Sequence, residues 1–332
     1  MHIPDGFIDG ATSAGAAVAA VGGLGASLRA GARTLQDKHI PLAGLTAAFV
    51  FVLQMLNFPV AAGTSGHLLG GALAAILLGP ALGITAVSVV VIVQALLFAD
   101  GGVSALGLNV FNMAVVTSLV AWIVFRLVVM ALPKKPPMVL LATMTAAWAS
   151  VVASSVLFSF EYGLGGRGGV DTGTVFGAMV GVHALIGIGE GLITATVVGA
   201  VMAVRADLVK GVQNYDMGVP SPTALGKRTV TGFVVAGLVV AALLVGVVAP
   251  IASGDPDGLE RVAADTGFLA TAEDHAVGGP FADYGLAGVE NEWIGTLAAG
   301  AVGTVVTFGV GLLLVGVVRR TRRSEEQAVR SP

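Results

Sequence analysis

The first two residues carry the chemistry most particular to this chain. It opens Met1-His2-Ile3-Pro4-Asp5-Gly6-Phe7, and a free terminal amine followed by a histidine is a chelator. The amine of Met1, the peptide nitrogen of His2 and its imidazole Nδ1 close a five- and a six-membered ring around one cation. Three nitrogens in a plane suit Ni(II), Cu(II) or Co(II) rather than Mg(II) or Ca(II). Amine and amide must lose protons to bind, so affinity should fall with pH. The bulk of His2 favours retention of Met1. No basic region precedes the apolar run, and Pro4, Asp5 and Asp9 interrupt it, so a cleaved signal peptide is not expected.

Other polar residues stand where apolar sequence dominates. His67, in Gly63-Thr64-Ser65-Gly66-His67-Leu68-Leu69-Gly70-Gly71, is an ionisable group among apolar neighbours and so a functional-site candidate. It could add a fourth nitrogen to the plane begun by Met1 and His2. Gln94, Asp100, Asn109 and Asn112 could hold the ligands from behind through hydrogen bonds. His183 and Glu190, seven apart, share a helix face and fit a proton relay, a metal path or an interhelical hydrogen bond. Glu161 and Asp171 fall in a glycine-rich segment, 161–173, that reads either as an entrance or as a solvated loop. There is no cysteine, so a metal must be held by nitrogen or oxygen.

The elements that position these residues must lie in a membrane. Hydrophobic residues make up 55% of the 332 and charged residues 11%, against roughly 25% charged in soluble domains. Apolar stretches run at about 11–28, 40–57, 67–80, 82–98, 106–130, 138–160, 175–203, 229–251 and 293–318. The third is too short to cross alone and reads as a half-helix beginning inside the protein. With the N-terminus outside, all basic residues but Arg167 and Arg261 fall on the inner side, which predicts nine spans, N-out and C-in. The expected fold is all-α: a polytopic bundle of seven spans over 1–204, a cytoplasmic linker over 205–228, and a two-span hairpin over 229–332.

The hairpin's outer loop, about 252–292, holds nine acids against Arg261 alone. Carboxylates by themselves hold Ni(II) or Co(II) weakly, so the loop is expected not to select the metal but to concentrate cations, to contact the outer face of the first unit and help load or order the N-terminal clip, or to be merely solvated. Gly173, Gly177 and Gly181, Gly187 with Gly191, and Gly66 with Gly70 repeat at four-residue spacing. They predict close helix packing, within the bundle or against a partner. No Gly-Lys-Ser or Gly-Lys-Thr and no His-Glu-x-x-His occurs, which removes an ATPase engine and weakens a metalloprotease.

Met1–Phe7, Ser65–Gly71, Val93–Gly102 and Asn109-Val110-Phe111-Asn112-Met113 resemble the CbiM/NikM family over roughly 1–205. Asp255-Pro256-Asp257-Gly258-Leu259-Glu260 resembles the PDGLE-type small subunit related in role to CbiN/NikN. The resemblance implies a substrate-binding S component of an energy-coupling-factor importer, with the metal among the amine of Met1, the amide and imidazole nitrogens of His2, and His67. It implies transported Ni(II) or Co(II) as substrate with no permanent cofactor, and no enzyme activity. Its partners would be a transmembrane coupling protein and two cytosolic ATPases in the cell membrane, with no nucleic acid. Two alternatives stay open: an intramembrane metalloenzyme using His67, His183 and Glu190, and an S component for an organic vitamin, which 6% aromatic residues disfavour. Ligand type leans towards Ni(II) over Co(II) without deciding between them.

Overall fold

A computed structural model of the chain describes residues 1–61, 63–213 and 227–330; most of the expected linker, residues 214–226, lies outside them. Helix α1, Gly10–Thr34, begins where Asp9 accepts a hydrogen bond from the Thr12 amide at 2.8 Å, which satisfies one of the orphan donors of the first turn. The short α2, His39–Gln54, leads into a hairpin of β1, Phe58–Ala61, and β2, Thr64–Gly66. This antiparallel pair, with Phe58 opposite Gly66 and Pro59 opposite Ser65, is a small departure from an all-helical expectation.

Helix α3, Gly71–Leu78, and α4, Pro80–Val93, are separated only by Gly79 at φ +86°. That left-handed backbone suits glycine, and Pro80 then fits the first helical turn of α4. Beyond α4 a wide π-turn over Gln94–Phe98 ends at Ala99. A second π segment, Val110–Val116, joins α5, Leu106–Asn109, to α6, Thr117–Ala131. Both π segments adjoin polar residues that the sequence singles out, and widened turns of this kind re-aim side chains. Helices α7, Pro136–Gly165, and α8, Thr172–Arg205, complete the first unit. The second contains α9, Lys227–Leu243, α10, Gly258–Thr266, and α11, Glu292–Arg330.

Among the described residues seven helices are long and apolar enough to cross a membrane, so the chain is a multi-pass membrane protein. The expected count of nine differs at α2 and α3. At a rise of about 1.5 Å per residue, neither the 16 residues of α2 nor the eight of α3 reaches across a hydrocarbon layer of about 30 Å. Both are enclosed by other helices, and hydropathy cannot separate a buried helix from a span. The half-helix reading of 67–80 is met by α3, which starts only at Gly71, after an irregular segment 67–70.

The hairpin of α9 and α11 packs against α2. A β-carbon added at Gly44 of α2 would lie 2.8 Å from the Phe308 carbonyl oxygen of α11, so glycine permits that approach. Gly187 and Gly191 serve the α7–α8 contact, where added β-carbons would meet Trp148 and Met144. Gly177 and Gly181 face open space. Glu161 lies buried near the end of α7 rather than in a loop, and Asp171 caps α8 by accepting from the Thr174 amide at 2.9 Å.

Candidate metal centre

The N-terminal segment is threaded into the protein and held there by its backbone. The Ile3 amide donates to Asn109 Oδ1 at 2.7 Å, and Asn109 Nδ2 donates back to the Ile3 carbonyl at 2.9 Å. The Gly102 amide also donates to that carbonyl, at 2.9 Å. The Asp5 carboxylate accepts from the Ser104 amide at 2.7 Å and hydroxyl at 2.5 Å, and from the Val103 amide at 3.2 Å. Burial pushes the Asp5 carboxyl up, and these bonds outweigh it, so its pKa lies below the ordinary value. Phe7 is fully buried, edge-on to Phe268 at 5.0 Å. Together these contacts leave Met1 only 3% exposed.

The buried amine of Met1 meets the His67 imidazole. The His67 Nδ1 donates to the Leu68 carbonyl at 3.1 Å, which turns the lone pair of Nε2 towards the Met1 amine, its close partner. The segment carrying His67 is clamped from behind. Glu190 accepts from the amides of Leu69 at 2.8 Å and Gly70 at 3.1 Å, while Gln54 Nε2 donates to the Leu69 carbonyl at 2.8 Å. Both carboxylate oxygens of Glu190 are therefore engaged in fixing the irregular segment that carries His67, a helix-to-loop bond rather than the interhelical one. His183 donates from Nδ1 to the Met179 carbonyl at 2.8 Å. With Met1, His67 and Asp257 it lines a cavity of ≈ 10 Å³, room for one ion or water and not for a vitamin. A larger apolar cleft of ≈ 400 Å³ between α2, α3, α8 and α9 lies apart from these nitrogens.

His2 is turned away from a planar clip. Its Nδ1 lies 3.0 Å from Asp100 Oδ1 and its Nε2 3.2 Å from Gln94 Oε1, while the ring stacks on that of His67 with centroids 5.0 Å apart. Gln94, Asp100 and Asn109 thus hold Met1–Ile3 in place. Asn112 instead donates to Glu161 Oε2 at 2.7 Å. Among the described residues no three His, Cys, Asp or Glu side chains form a metal-sized group. The nitrogens here include a chain terminus, which such side-chain clusters omit.

Burial holds the His2 imidazole down to about 4 from an ordinary 6.5; Asp100 pulls the other way, and His67 and the Met1 ammonium deepen the depression. A terminus that leaves its groove takes up a proton near pH 6.5, whereas the docked ring stays neutral to about pH 4. Because the undocked state binds the extra proton, docking weakens as pH falls through that window and is indifferent to this group outside it. At about 1.4 kcal/mol per pH unit the whole effect is about 3 kcal/mol. Amide exchange of residues 2–7, corrected for intrinsic rates, is expected to show easier opening at pH 4.5 than at pH 7; equal opening would contradict a buried neutral ring.

The acidic loop, expected either to gather cations at a distance or to contact the first unit near the N-terminal clip, makes that contact and reaches the site itself. The Ser65 amide donates to the Pro256 carbonyl at 2.9 Å and its hydroxyl to the Asp255 carbonyl at 2.7 Å. This seam sets Asp257 beside His67: Asp257 Oδ2 lies 3.0 Å from the Met1 amine and 3.4 Å from His67 Nε2. The Tyr284 hydroxyl donates to Asp100 Oδ2 at 2.6 Å and accepts from Gln94 Nε2 at 2.8 Å, and His275 Nε2 donates to the Gly101 carbonyl at 3.1 Å. Burial and the Asp100 charge raise the Tyr284 hydroxyl pKa, keeping it a donor. The hexapeptide containing Pro-Asp-Gly-Leu-Glu can now be read residue by residue. Asp257 Oδ1 caps α10 by accepting from the Leu259 and Glu260 amides at 2.8 and 2.9 Å, and the Asp257 amide in turn donates to Glu260 Oε2 at 3.2 Å. A β-carbon on Gly258 would lie 2.6 Å from Ile186 Cδ1 of α8, and Leu259 is fully buried. Asp257 and Tyr284 escaped the sequence reading because each acts across more than a hundred residues, and Gln54 because it reaches the site only through the Leu69 backbone.

A helical membrane bundle whose own amino terminus is buried against a histidine defines a multi-pass membrane protein with a nitrogen-lined site at one end. Residues 2–208 match the family described as CbiM, cobalt uptake substrate-specific transmembrane region, and residues 231–320 match the PDGLE domain. The chain belongs to the CbiM family, with a PDGLE domain at its C-terminal side, and is a nickel/cobalt transport membrane protein. It is 35% identical over 96% of its length, and 99% of the other's, to an Archaeoglobus fulgidus protein provisionally named fused nickel transport protein NikMN. It is 38% identical to the fused nickel transport protein NikMN of Rhodobacter capsulatus over 49% of this chain and 47% of that one. A solved structure of a transition metal transporter superposes with a TM-score of 0.56 at 29% identity, covering 61% of this chain and 93% of that one. These relatives are named as transport proteins, in keeping with a transport role rather than an enzyme.

Proposed function

We propose that the protein captures Ni(II) or Co(II) at the outer face of the cell membrane and passes it inward as the S component of an energy-coupling-factor importer. Residues 1–204 are the capturing unit and 229–332 the fused accessory unit. A transmembrane coupling protein and two cytosolic ATPases supply the energy that this chain, without a Walker A sequence, cannot. The observation that carries the reading is the meeting of the Met1 amine with His67 Nε2 in a buried site, 66 residues apart in sequence. Such a site requires an unblocked Met1 amine. Capture would displace two protons to solvent, one from the Met1 ammonium and one from the His2 amide, and turn His2 Nδ1 from Asp100 to the same ion, closing the fused rings.

An N-out orientation is supported by the basic residues at the other end of the bundle. Lys38, Lys210 and Arg319 surround His39 there, and Arg319 pairs with Asp37 at 2.8 Å. Four nitrogens that include a deprotonated amide favour Ni(II) by ligand type. Full-length protein with an unblocked Met1, incubated with equimolar Ni(II), Co(II), Zn(II) and Mn(II) and then desalted, is expected to retain about one Ni(II) or Co(II) per chain. Retention of none, or preference for Mn(II), overturns the reading.

A further inference from the structure

The capturing unit offers nitrogens, but the atom facing them most directly is an oxygen of the fused domain. Two donors each about 2.0–2.1 Å from one metal and at right angles lie about 2.9 Å apart. Asp257 Oδ2 stands 3.0 Å from the Met1 amine and 3.4 Å from His67 Nε2. The Asp257–Met1 separation matches neighbouring corners of one coordination polyhedron, and a shift of about 0.5 Å would bring the Asp257–His67 separation to the same spacing. The two oxygens of Asp257 are also divided in their tasks: Oδ1 is committed to the amides at the start of α10, and Oδ2 is left aimed at the nitrogens. The seam from Ser65 to Asp255 and Pro256, on the strand that leads to His67, ties ligand and loop into one register.

Charge points the same way. A divalent ion bound to one deprotonated amide and otherwise neutral nitrogens keeps one positive charge, which is costly to bury without a counter-charge. The Asp257 side chain is 14% exposed and supplies that charge within contact distance. Before capture it balances the Met1 ammonium in the same place, so the site remains near neutral as the ammonium and His2 amide protons give way to one divalent ion.

We propose that Asp257 Oδ2 is an oxygen ligand of the transported metal, so that the fused PDGLE domain completes a site whose nitrogens come from the CbiM domain. This rests on the capture reading above and adds a ligand to it. Loss of the loop would then cost affinity, rather than only the rate at which cations are gathered.

Ni(II) binding to the full-length protein with a native terminus tests this, using Asp257→Asn, whose amide oxygen can still cap α10. Outer partners of metal ligands typically contribute about 10–100-fold in affinity, and a direct ligand should contribute at least tenfold. Asp257→Asn is expected to weaken Ni(II) binding about tenfold or more and to shift the visible ligand-field spectrum of the loaded protein. Asp265→Asn, which removes the same charge from the exposed side of the same helix, should do neither. Unchanged or tighter binding with an unchanged spectrum in Asp257→Asn overturns the ligand and leaves the nitrogen site standing. A fall in affinity matched by Asp265→Asn, or without a spectral change, overturns it in favour of electrostatic attraction. Failure of the unaltered protein to bind Ni(II) or Co(II) removes the nitrogen site and this ligand together.

Discussion

A single residue added before Met1 is expected to abolish high-affinity Ni(II) or Co(II) binding while the helices stay folded. The Met1 amine is buried with His67 on one side and Asp257 on the other, beside a cavity of ≈ 10 Å³. An extra residue has no place there, and it turns the amine into an amide that opens the fused rings. It also strands the Asp257 carboxylate: burial pushes its pKa up, but the Met1 ammonium and His67 hold it well below the usual carboxylate range. Removing one partner of a buried pair costs about 3–5 kcal/mol, which as lost binding is a factor of about 10²–10³ or more. The rest of the segment has its own anchors at Asn109, Ser104 and Phe268, so global folding should persist. Equilibrium metal titration of extended and unextended proteins, with thermal melting as the fold control, checks this. Full binding by the extended protein would remove the chain terminus from the site.

His67→Ala is expected to reduce binding by a comparable factor, for a different reason. The imidazole's structural bond, to the Leu68 carbonyl, is local, so its loss leaves the fold in place while removing the nitrogen that meets Met1. Glu190→Ala should weaken binding without touching any ligand. It leaves the buried amides of Leu69 and Gly70 without their acceptor, each unsatisfied donor costing about 1–3 kcal/mol. The Glu190→Ala protein is therefore expected to melt earlier as well, which the His67→Ala protein is not. His39→Ala serves as the contrast, since His39 accepts from the Gln36 amide at the far end of the bundle. Titration and melting of the three variants together check the assignment. Unaltered binding by His67→Ala, or loss of binding by His39→Ala, would move the site elsewhere.

Composition and apolar run lengths alone determined that this chain lives in a membrane, because a helix in lipid must be apolar over its whole crossing. Met1-His2 and the lone His67 pointed to a nitrogen chelator from elementary chemistry, since amine, amide and imidazole are nitrogen donors whatever the fold, and the structure brings the Met1 amine and His67 together. Sequence could not tell α2 and α3 from true spans, since burial inside a bundle and burial in lipid select the same residues. Nor could it tell that Glu190 grips the His67 segment from the opposite helix, because a carboxylate in an apolar run says that a partner exists and not which one. The orientation of His2 towards Asp100 was equally hidden, depending as it does on a wide π-turn that re-aims Gln94 and on Tyr284 far along the chain. For the acidic loop the sequence left a distant field and a contact with the first unit equally open, since charge counts carry no direction. Only the tertiary structure brings Asp257 to the nitrogens, through the hydrogen-bonded seam at Ser65 and the close approach that Gly258 allows against α8. Contacts between residues about 190 positions apart arise when two surfaces pack, and no local pattern in either segment specifies the other.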